Sequence, residues 1–552
     1  MSQSNGWDPL NSASVFGELF TKMAQNPQNV MAANLDLYRE GLSLYQQSVQ
    51  SLLTGQLSEA EADRRFKHES WQQPAFSAIK DSYLLLSNHL KRLVSETEGM
   101  DEHTANKADF FTRLIIDALS PSNYLMTNPQ ALEKAFETKG QSVKEGLQNI
   151  MDDMKRGDGQ LKISMTDTEA FEMGKNIATT EGKVVFENRM FQLIQYSPLT
   201  EESNETPLLI VPPWINKYYI LDMQEKNSYV RWMTEQGHSV FIISWINPDE
   251  SYADVGFDSY VTEGVLEAID AVQKATSSEK INTVGYCIGG TLLTTTLAYM
   301  QANNDDRVQS ATFLTTMLDF SDPGELGLFI DEEQLQLIEK KMDENGYLDG
   351  SEMSGTFNLM RANDLIWSFY VNNYLMGNEA RPFDLLYWNS DSTRMPAKMH
   401  KWYLRNLYLE NKLVQPNAIT INGTEIDITS IKTPAMFVST VDDHIAPWLS
   451  TYSGALKFAG PVKFILSGSG HIAGIINPPQ ANKYGYRVST RKLTQDAQSW
   501  ADKTKMNDGS WWPEWDKWAA KHAGKKIAAR VPGDGDLAVI EDAPGRYVAI
   551  KY

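Results

Sequence analysis

Two kinds of apolar spacing divide the chain. Through the first ~180 residues the apolar positions follow a helical period. Phe111, Leu114, Ile115, Ala118 and Leu119 recur at i, i+3, i+4, i+7 and i+8, which predicts one buried helical face. That pattern stops at Ser120-Pro121, because proline cannot continue a helix. Segments 13–54, 75–98 and 130–155 carry similar amphipathic patterning, separated by polar or Pro-containing stretches. From residue 181 short β-branched runs take over. GKVVFENRMFQLIQY (182–196) reads as two strands around a polar turn. LLIV (208–211), VFIIS (240–244), INTVGY (281–286), ATFLTTM (311–317), PAMFVST (434–440) and KFILS (463–467) then alternate with helix-like segments such as 258–274, 290–303 and 449–458. Strands alternating with helices predict a doubly wound α/β fold with a mostly parallel sheet. Continuous apolar strands predict a sheet covered by helices on both faces.

One stretch breaks that alternation. Between Met317 and Pro434 lie more than a hundred residues of mainly helical pattern, rich in aromatics that include Phe357, Trp367, Tyr374, Trp388, Trp402 and Tyr403. So long an insertion cannot be a plain loop in a compact domain. It is expected to cap the carboxyl edge of the sheet, where such folds place their active sites. A surface dimerisation module is the competing reading, and one segment could serve both ends. The expected organisation is a helical N-terminal domain over 1–180 and a catalytic domain over 181–552, with the cap insertion at about 320–430. The N-terminal helices are compatible with a docking, dimerising or membrane-surface role, or with simple packing on the catalytic body.

Composition narrows the functional classes. Fifty basic against 71 acidic side chains give a formal net charge of −21. An acidic chain without a basic run is a poor nucleic-acid binder, since that affinity comes largely from Lys and Arg on phosphates. The chain has one cysteine, Cys287, which rules out an intramolecular disulfide and any thiolate cluster for zinc or iron–sulfur. No metal site is expected, because His444 and His471 lack accompanying ligands at metal spacing. No apolar run approaches the ~18–20 residues needed to span a bilayer. The opening MSQSNGWDPL lacks the basic-then-apolar pattern of a signal peptide, so a cytoplasmic protein is expected.

The lone cysteine is the main chemical signal. Gly285-Tyr286-Cys287-Ile288-Gly289 follows a predicted strand and opens a predicted helix, the form of a nucleophile elbow with sulfur in place of oxygen. The turn is expected to be so tight that Cβ atoms two residues before and after the nucleophile would collide. Ile288 would offer its backbone N–H to an oxyanion, and the helix start favours the thiolate. This α/β-hydrolase arrangement predicts partners in the order nucleophile, acid, histidine. Val441-Asp442-Asp443-His444 follows one strand and Gly468-Ser469-Gly470-His471 the next. Cys287, Asp443 and His471 fill the order, with His471 taking the thiol proton and Asp443 orienting the imidazole. The spacing does not separate Asp442 from Asp443. The second oxyanion donor is expected in Pro212–Lys217, from the backbone near Trp214 or Ile215. Asn216 and Lys217 would touch substrate or merely solvate that loop.

At these residues the chain resembles the polyhydroxyalkanoate synthases, which polymerise (R)-3-hydroxyacyl-CoA into a storage polyester. The resemblance runs through DRRFKHESW (63–71), PSNYLMTNP (121–129), PPWINKYYILDM (212–223), GYCIGG (285–290), TTMLDFSDPGELG (315–327), DDHIAPW (442–448), GHIAGIINPP (470–479) and GSWWPEW (509–515). The long N-terminal part is similar to the class I, single-subunit type. The resemblance implies an α/β-hydrolase fold and an acyl thioester on Cys287. It also implies that His444 and Arg361 lie near the CoA entrance, and Asn216 is grouped with these substrate-facing candidates. No cofactor is implied beyond the CoA thioester substrate. The implied partners are the growing polyester, a second copy in a homodimer, the granule surface and phasin-like proteins. The CoA phosphates would need a few Lys or Arg at the cap mouth despite the net charge. A cysteine-dependent thioesterase or ester hydrolase and a non-catalytic granule-coat protein are the alternatives.

Overall fold

A computed structural model describes residues 11–55, 62–489 and 492–552, so the opening MSQSNGWDPL lies outside the described residues. The chain forms two compact units, Met1–Asp167 with Gly355–Pro382, and Thr168–Ser354 with Phe383–Tyr552.

The first unit is helical. It contains α1 (Ser12–Gln25), α2 (Pro27–Thr54), α3 (Pro74–Ser95), α4 (Glu102–Ala118), α5 (Pro129–Glu137) and α6 (Gln141–Arg156). Proline opens α2, α3 and α5, where its fixed φ suits a helix start and its missing N–H is not needed. Asp101 and Asn128 cap α4 and α5, each accepting backbone N–H groups of the first turn. The helix ending at Ala118 matches the stop expected before Pro121. Its buried face differs from the expected one. Ala108, Phe110, Phe111 and Ile116 are buried, whereas Ile115 and Leu119 are exposed. The stripe is turned because α4 packs against α1 and α3 together, with Phe111 meeting Phe16.

The span expected to form a single cap is divided between the units. Its middle part, Gly355–Pro382, belongs with the N-terminal helices. Tyr374 donates its hydroxyl to the buried Asp153 of α6 at 2.5 Å, and Asn149 donates to the carbonyls of Asn373 and Asn378. Gly146 lies so close beneath Tyr374 that a Cβ there would sit 1.9 Å from its carbonyl oxygen.

The second unit is built on an eleven-stranded sheet. Its strands are β1 (Gly182–Glu187), β2 (Phe191–Tyr196), β3 (Leu208–Val211), β4 (Val240–Trp245), β5 (Ile281–Tyr286), β6 (Val308–Leu314), β7 (Ala435–Thr440), β8 (Val462–Ser467), β9 (Tyr486–Val488), β10 (Met506–Asn507) and β11 (Glu541–Asp542). Their spatial order is β10-β9-β8-β7-β6-β5-β3-β4-β2-β1-β11. The six strands from β8 across to β4 run parallel, and the flanking pairs are antiparallel. Every residue of β3, β5 and β7 is buried, as continuous apolar runs demand of a sheet covered on both faces. Three helices matter for the site. They are α7 (Ile288–Ala302), directly after β5, α8 (Ala397–Tyr403) in the insertion, and α9 (Trp512–Ala519). The fold is an α/β-hydrolase fold carrying a helical insertion after β6. Among the described residues no helix is long and apolar enough to cross a membrane.

Candidate active site

Cys287 sits alone between the last residue of β5 and the first of α7, with φ 53° and ψ −126°. A side-chain-bearing residue at such a φ is held there by its surroundings. The Cys287 N–H donates to the Leu314 carbonyl at 2.8 Å, fastening the bend to β6. The glycines are required, although the crowding differs from that expected. A Cβ on Gly285 would lie 2.5 Å from the Gly290 Cα, while a Cβ on Gly289 would lie 2.3 Å from the Val211 carbonyl oxygen and 2.5 Å from that of Pro212. Gly289 therefore lets α7 approach the end of β3 and does not avoid Gly285. The sulfur is half-buried against the hydrophobic layers on both faces of the sheet.

His471 follows β8 and is buried. Its Nδ1 lies 2.7 Å from Asp443 Oδ2, and the Cys287 sulfur acts electrostatically on the same ring. Burial by itself disfavours the imidazolium, yet the Asp443 carboxylate and the Cys287 sulfur outweigh it and push His471 up to about 10. Asp443, and not Asp442, faces the histidine. Its Oδ1 accepts the N–H groups of Ile445 (2.9 Å) and Ala446 (2.8 Å), which leaves Oδ2 for the histidine. Asp442 is exposed, and its backbone N–H joins Ser469. His444 is half-buried beside Asp443. Ile288 is the first residue of α7, where backbone N–H groups have no carbonyl within their own helix. Ile215 packs against the core in the loop after β3.

Asn216 and Lys217 have partners other than those expected. The side-chain amide of Asn216 is engaged by the carbonyls of Trp388 (3.1 Å), Asn389 (3.3 Å) and Asp391 (3.4 Å), so it clamps its loop to the insertion and does not face a substrate. Lys217 is buried and donates to Val548 O and Ile550 O, so it does not solvate the loop. Arg361 belongs to the helical unit and pairs with Asp364. In the insertion Arg394, Lys401, Arg405 and Lys412 each pair with an acidic neighbour. Among the described residues no group of three or more His, Cys, Asp or Glu side chains is arranged to hold a metal ion.

Other residues at the site carried no assigned role in the sequence. Tyr403 at the end of α8 and Tyr408 just beyond pack ring to ring at 5.7 Å, and both lie within electrostatic reach of Cys287. Burial pushes both phenols well above their ordinary range, so they stay neutral donors. Trp214 packs 4.8 Å from Tyr260 and 6.3 Å from Tyr403, ring to ring. Behind His471, Trp511 donates to Gly474 O and Trp512 to Ile475 O, both at 2.9 Å, so GSWWPEW holds the histidine loop. The unusual density of tryptophan in that motif was the available signal.

A cysteine at a nucleophile elbow, with histidine and aspartate after two later strands, defines an enzyme of the α/β-hydrolase class, and residues 207–478 match the family model for the alpha/beta hydrolase fold. Residues 62–233 match the model described as the poly-beta-hydroxybutyrate polymerase (PhaC) N-terminus. The chain is 47% identical over 493 residues to a poly(3-hydroxyalkanoate) polymerase of Methylorubrum extorquens, covering 89% of this chain and 81% of that one. It is 43% identical over 496 residues to a poly(3-hydroxyalkanoate) polymerase subunit PhaC of Cupriavidus necator, covering 89% and 83%. Among solved structures it is similar to a monoacylglycerol lipase of Paleococcus ferrophilus, with 10% identity and a TM-score of 0.34 over 60% of this chain and 99% of that one. The chain belongs to the poly(3-hydroxyalkanoate) polymerase family.

Proposed function

We propose that this enzyme polymerises (R)-3-hydroxyacyl-CoA, such as 3-hydroxybutyryl-CoA, into polyester through a thioester on Cys287. The observation that carries the reading is the hydrogen bond of His471 to Asp443, with the elbow cysteine Cys287 within electrostatic reach of the same ring, in a chain of this family.

His471 takes the thiol proton on Nε2, since its Nδ1 faces Asp443. The thiolate attacks the acyl carbonyl, and the developing oxyanion is received by the N–H groups of Ile288 and Ile215. The carbon–sulfur bond to CoA then breaks, and the proton held by His471 leaves with the CoA thiol. One thioester has replaced another, so the acyl group remains activated. Elongation removes the proton of the 3-hydroxyl of an incoming (R)-3-hydroxyacyl-CoA through His471, and the alkoxide attacks the thioester carbonyl on Cys287. The carbon–sulfur bond to Cys287 breaks, and the proton held by His471 returns to that sulfur. The lengthened chain is left as a CoA thioester that Cys287 takes up again with release of CoA. With one thiol per chain, the incoming unit reacts as its CoA thioester or as a released intermediate. No cofactor takes part. Water competes for every acyl-enzyme, and the neutral wall of Trp214, Tyr403 and Tyr408 beside the sulfur serves to exclude it. His444 lies beside this machinery and is assigned to the CoA side. The product is insoluble, which places the working enzyme, as a homodimer, at a cytoplasmic granule surface among phasin-like coat proteins.

The test incubates purified protein with (R)-3-hydroxybutyryl-CoA and follows free thiol and insoluble product together. Stoichiometric CoA and turbid polymer, both lost in Cys287→Ala, are expected. Soluble 3-hydroxybutyrate without polymer would convert the reading to a thioesterase. An unchanged Cys287→Ala would leave only a coat protein.

A further inference from the structure

The loop after β3 contains a peptide unit that is gripped at one end only. Its carbonyl belongs to Trp214 and its N–H to Ile215, the proposed second oxyanion donor. The bond is trans, so the two groups point in opposite directions from one rigid plane. Thr393 donates its hydroxyl to the Trp214 carbonyl at 2.6 Å, and this threonine is 6% exposed. The Ile215 N–H makes no hydrogen bond among the described residues. Whatever fixes the carbonyl therefore fixes the direction of the free N–H.

We infer that Thr393 is a positioning residue for the oxyanion hole: by holding the Trp214 carbonyl it aims the Ile215 N–H at the oxygen of the acyl group on Cys287. The inference rests on the reading above, in which Ile215 receives the oxyanion, and it names what directs that donor. Three observations carry it. The first is origin. Thr393 lies 179 residues after Trp214, in the insertion just before α8, so the loop takes its fixing bond from another element. The loop's own backbone turns left-handed at the next residue, with Asn216 at φ 60°. The second is rigidity. A β-branched side chain has few rotamers, and a buried hydroxyl keeps its partner because losing it is costly. The residue after Thr393 is held as firmly. Arg394 donates its N–H to Asn247 Oδ1 at 2.9 Å, and its guanidinium lies 4.1 Å from the ring centres of both Tyr347 and Tyr552. A planar cation stacked on two aromatic faces resists displacement. The third is redundancy. The Asn216 amide already clamps the loop to the carbonyls of Trp388, Asn389 and Asp391, so attachment alone needs no further tether. A bond to the Trp214–Ile215 peptide adds direction where attachment is already supplied. The donor is thus aimed only while this limb of the insertion is seated, which ties exclusion of water to competence for acyl transfer.

The test compares Thr393→Val, which keeps the branched shape and loses the donor, with Thr393→Ser, which keeps the donor. Both are made in the full chain, and Thr393→Ala replaces Thr393→Val if the latter fails to fold by circular dichroism. In CoA release from (R)-3-hydroxybutyryl-CoA, Thr393→Val is expected to lose at least ~10-fold in kcat with KM within about twofold of the parent. Thr393→Ser is expected to keep kcat within about threefold. A second probe needs no turnover. The Cys287 sulfur adds to the carbonyl carbon of butanal, the C=O double bond becomes a single bond, and the thiol proton passes through His471 to the oxygen. That hemithioacetal oxygen occupies the hole, so the inhibition constant of butanal should rise at least ~10-fold in Thr393→Val and stay near the parent value in Thr393→Ser. A threonine that only stabilises the loop would lower the urea midpoint of Thr393→Val and leave kcat and the butanal constant where they were. That result, or equal losses in the two variants, would overturn the inference. Weakened butanal binding in Thr393→Val, with a parent that yields soluble 3-hydroxybutyrate and no polymer, would sustain the inference and end the polymerase reading. Unchanged butanal binding with a polymer-forming parent would do the reverse.

Discussion

Lys217 and Asp391 form an ion pair of 2.9 Å whose two side chains are only 4% and 5% exposed. It joins three segments that are distant in sequence. Lys217 lies in the loop after β3 and Asp391 in the insertion, while the same ammonium donates to Val548 O (2.6 Å) and Ile550 O (3.0 Å) near the C-terminus. Tyr219 donates its hydroxyl to the other Asp391 oxygen at 2.8 Å, and Trp388 donates its indole N–H to Lys217 O at 2.6 Å. The loop carrying the proposed second oxyanion donor is thus held by buried polar contacts. Removing one partner of a buried pair strands the other charge, which costs about 3–5 kcal/mol. Lys217→Met is expected to lower the unfolding free energy from urea titration by that amount. Lys217→Met/Asp391→Leu should regain most of the stability while CoA release stays depressed, because the loop has lost its anchor. Full recovery of both would show that the pair has no positioning role.

The charged state of His471 makes stability depend on pH in a definite direction. Its folded value of about 10 lies above the ordinary 6.5, so the protonated ring binds Asp443 and Cys287 more favourably in the folded state. That contribution is fully present below pH 6.5 and is lost as pH rises through about 10. The stability advantage of the unaltered chain over His471→Gln should therefore shrink across this window, read as the difference in urea midpoints. A difference that stays constant from pH 6.5 to 10 would contradict the assigned pairing.

His400 on α8 gives the opposite sign. It is buried, and neither ring nitrogen has a hydrogen-bond partner among the described residues, while its ring stacks 6.2 Å from Tyr403. Burial lowers it from 6.5 to about 4, so the fold favours the neutral ring. The stability belonging to that preference is present above pH 6.5 and lost as pH falls through 4. His400→Phe keeps an aromatic ring at the site and removes the titration. It is expected to flatten the acid loss of stability between pH 6.5 and 4, checked by thermal melts at half-unit intervals. A variant that loses stability in acid as steeply as the parent would refute the assignment.

The elbow was legible because it is local. A strand, a glycine-flanked cysteine and a helix follow one another without interruption, and the acid and histidine each close a recognisable strand. The choice between Asp442 and Asp443 was not legible. Both occupy one loop, and only the turn that gives Asp443 the N–H groups of Ile445 and Ala446 turns it inward. Asn216 and Lys217 were misread for another reason. Their partners lie about 170 to 330 residues away, and a polar loop residue shows the same face to sequence reasoning whether it meets substrate, water or a distant carbonyl. The division of the insertion escaped detection because helices packed on α6 and helices packed on the sheet share one periodicity.

The glycines of the elbow can be ranked by what a methyl group would strike. On Gly289 it meets the carbonyl oxygens of Val211 and Pro212, backbone atoms that cannot swing aside. To admit it, α7 must retreat from β3, carrying the Ile288 N–H away from the loop that holds Ile215. Loss of one oxyanion donor costs about 10²–10³ in kcat. Gly289→Ala is therefore expected to lower CoA release at least ~100-fold while the protein remains folded by circular dichroism. Gly17, on the exposed side of α1, has open space around the same position and a helical φ, so Gly17→Ala should leave CoA release unchanged and stabilise the helix by up to about 1 kcal/mol. The two substitutions are chemically identical, so the contrast reports the elbow alone. Near-normal turnover in Gly289→Ala would mean that the approach of α7 to β3 does not set the oxyanion geometry.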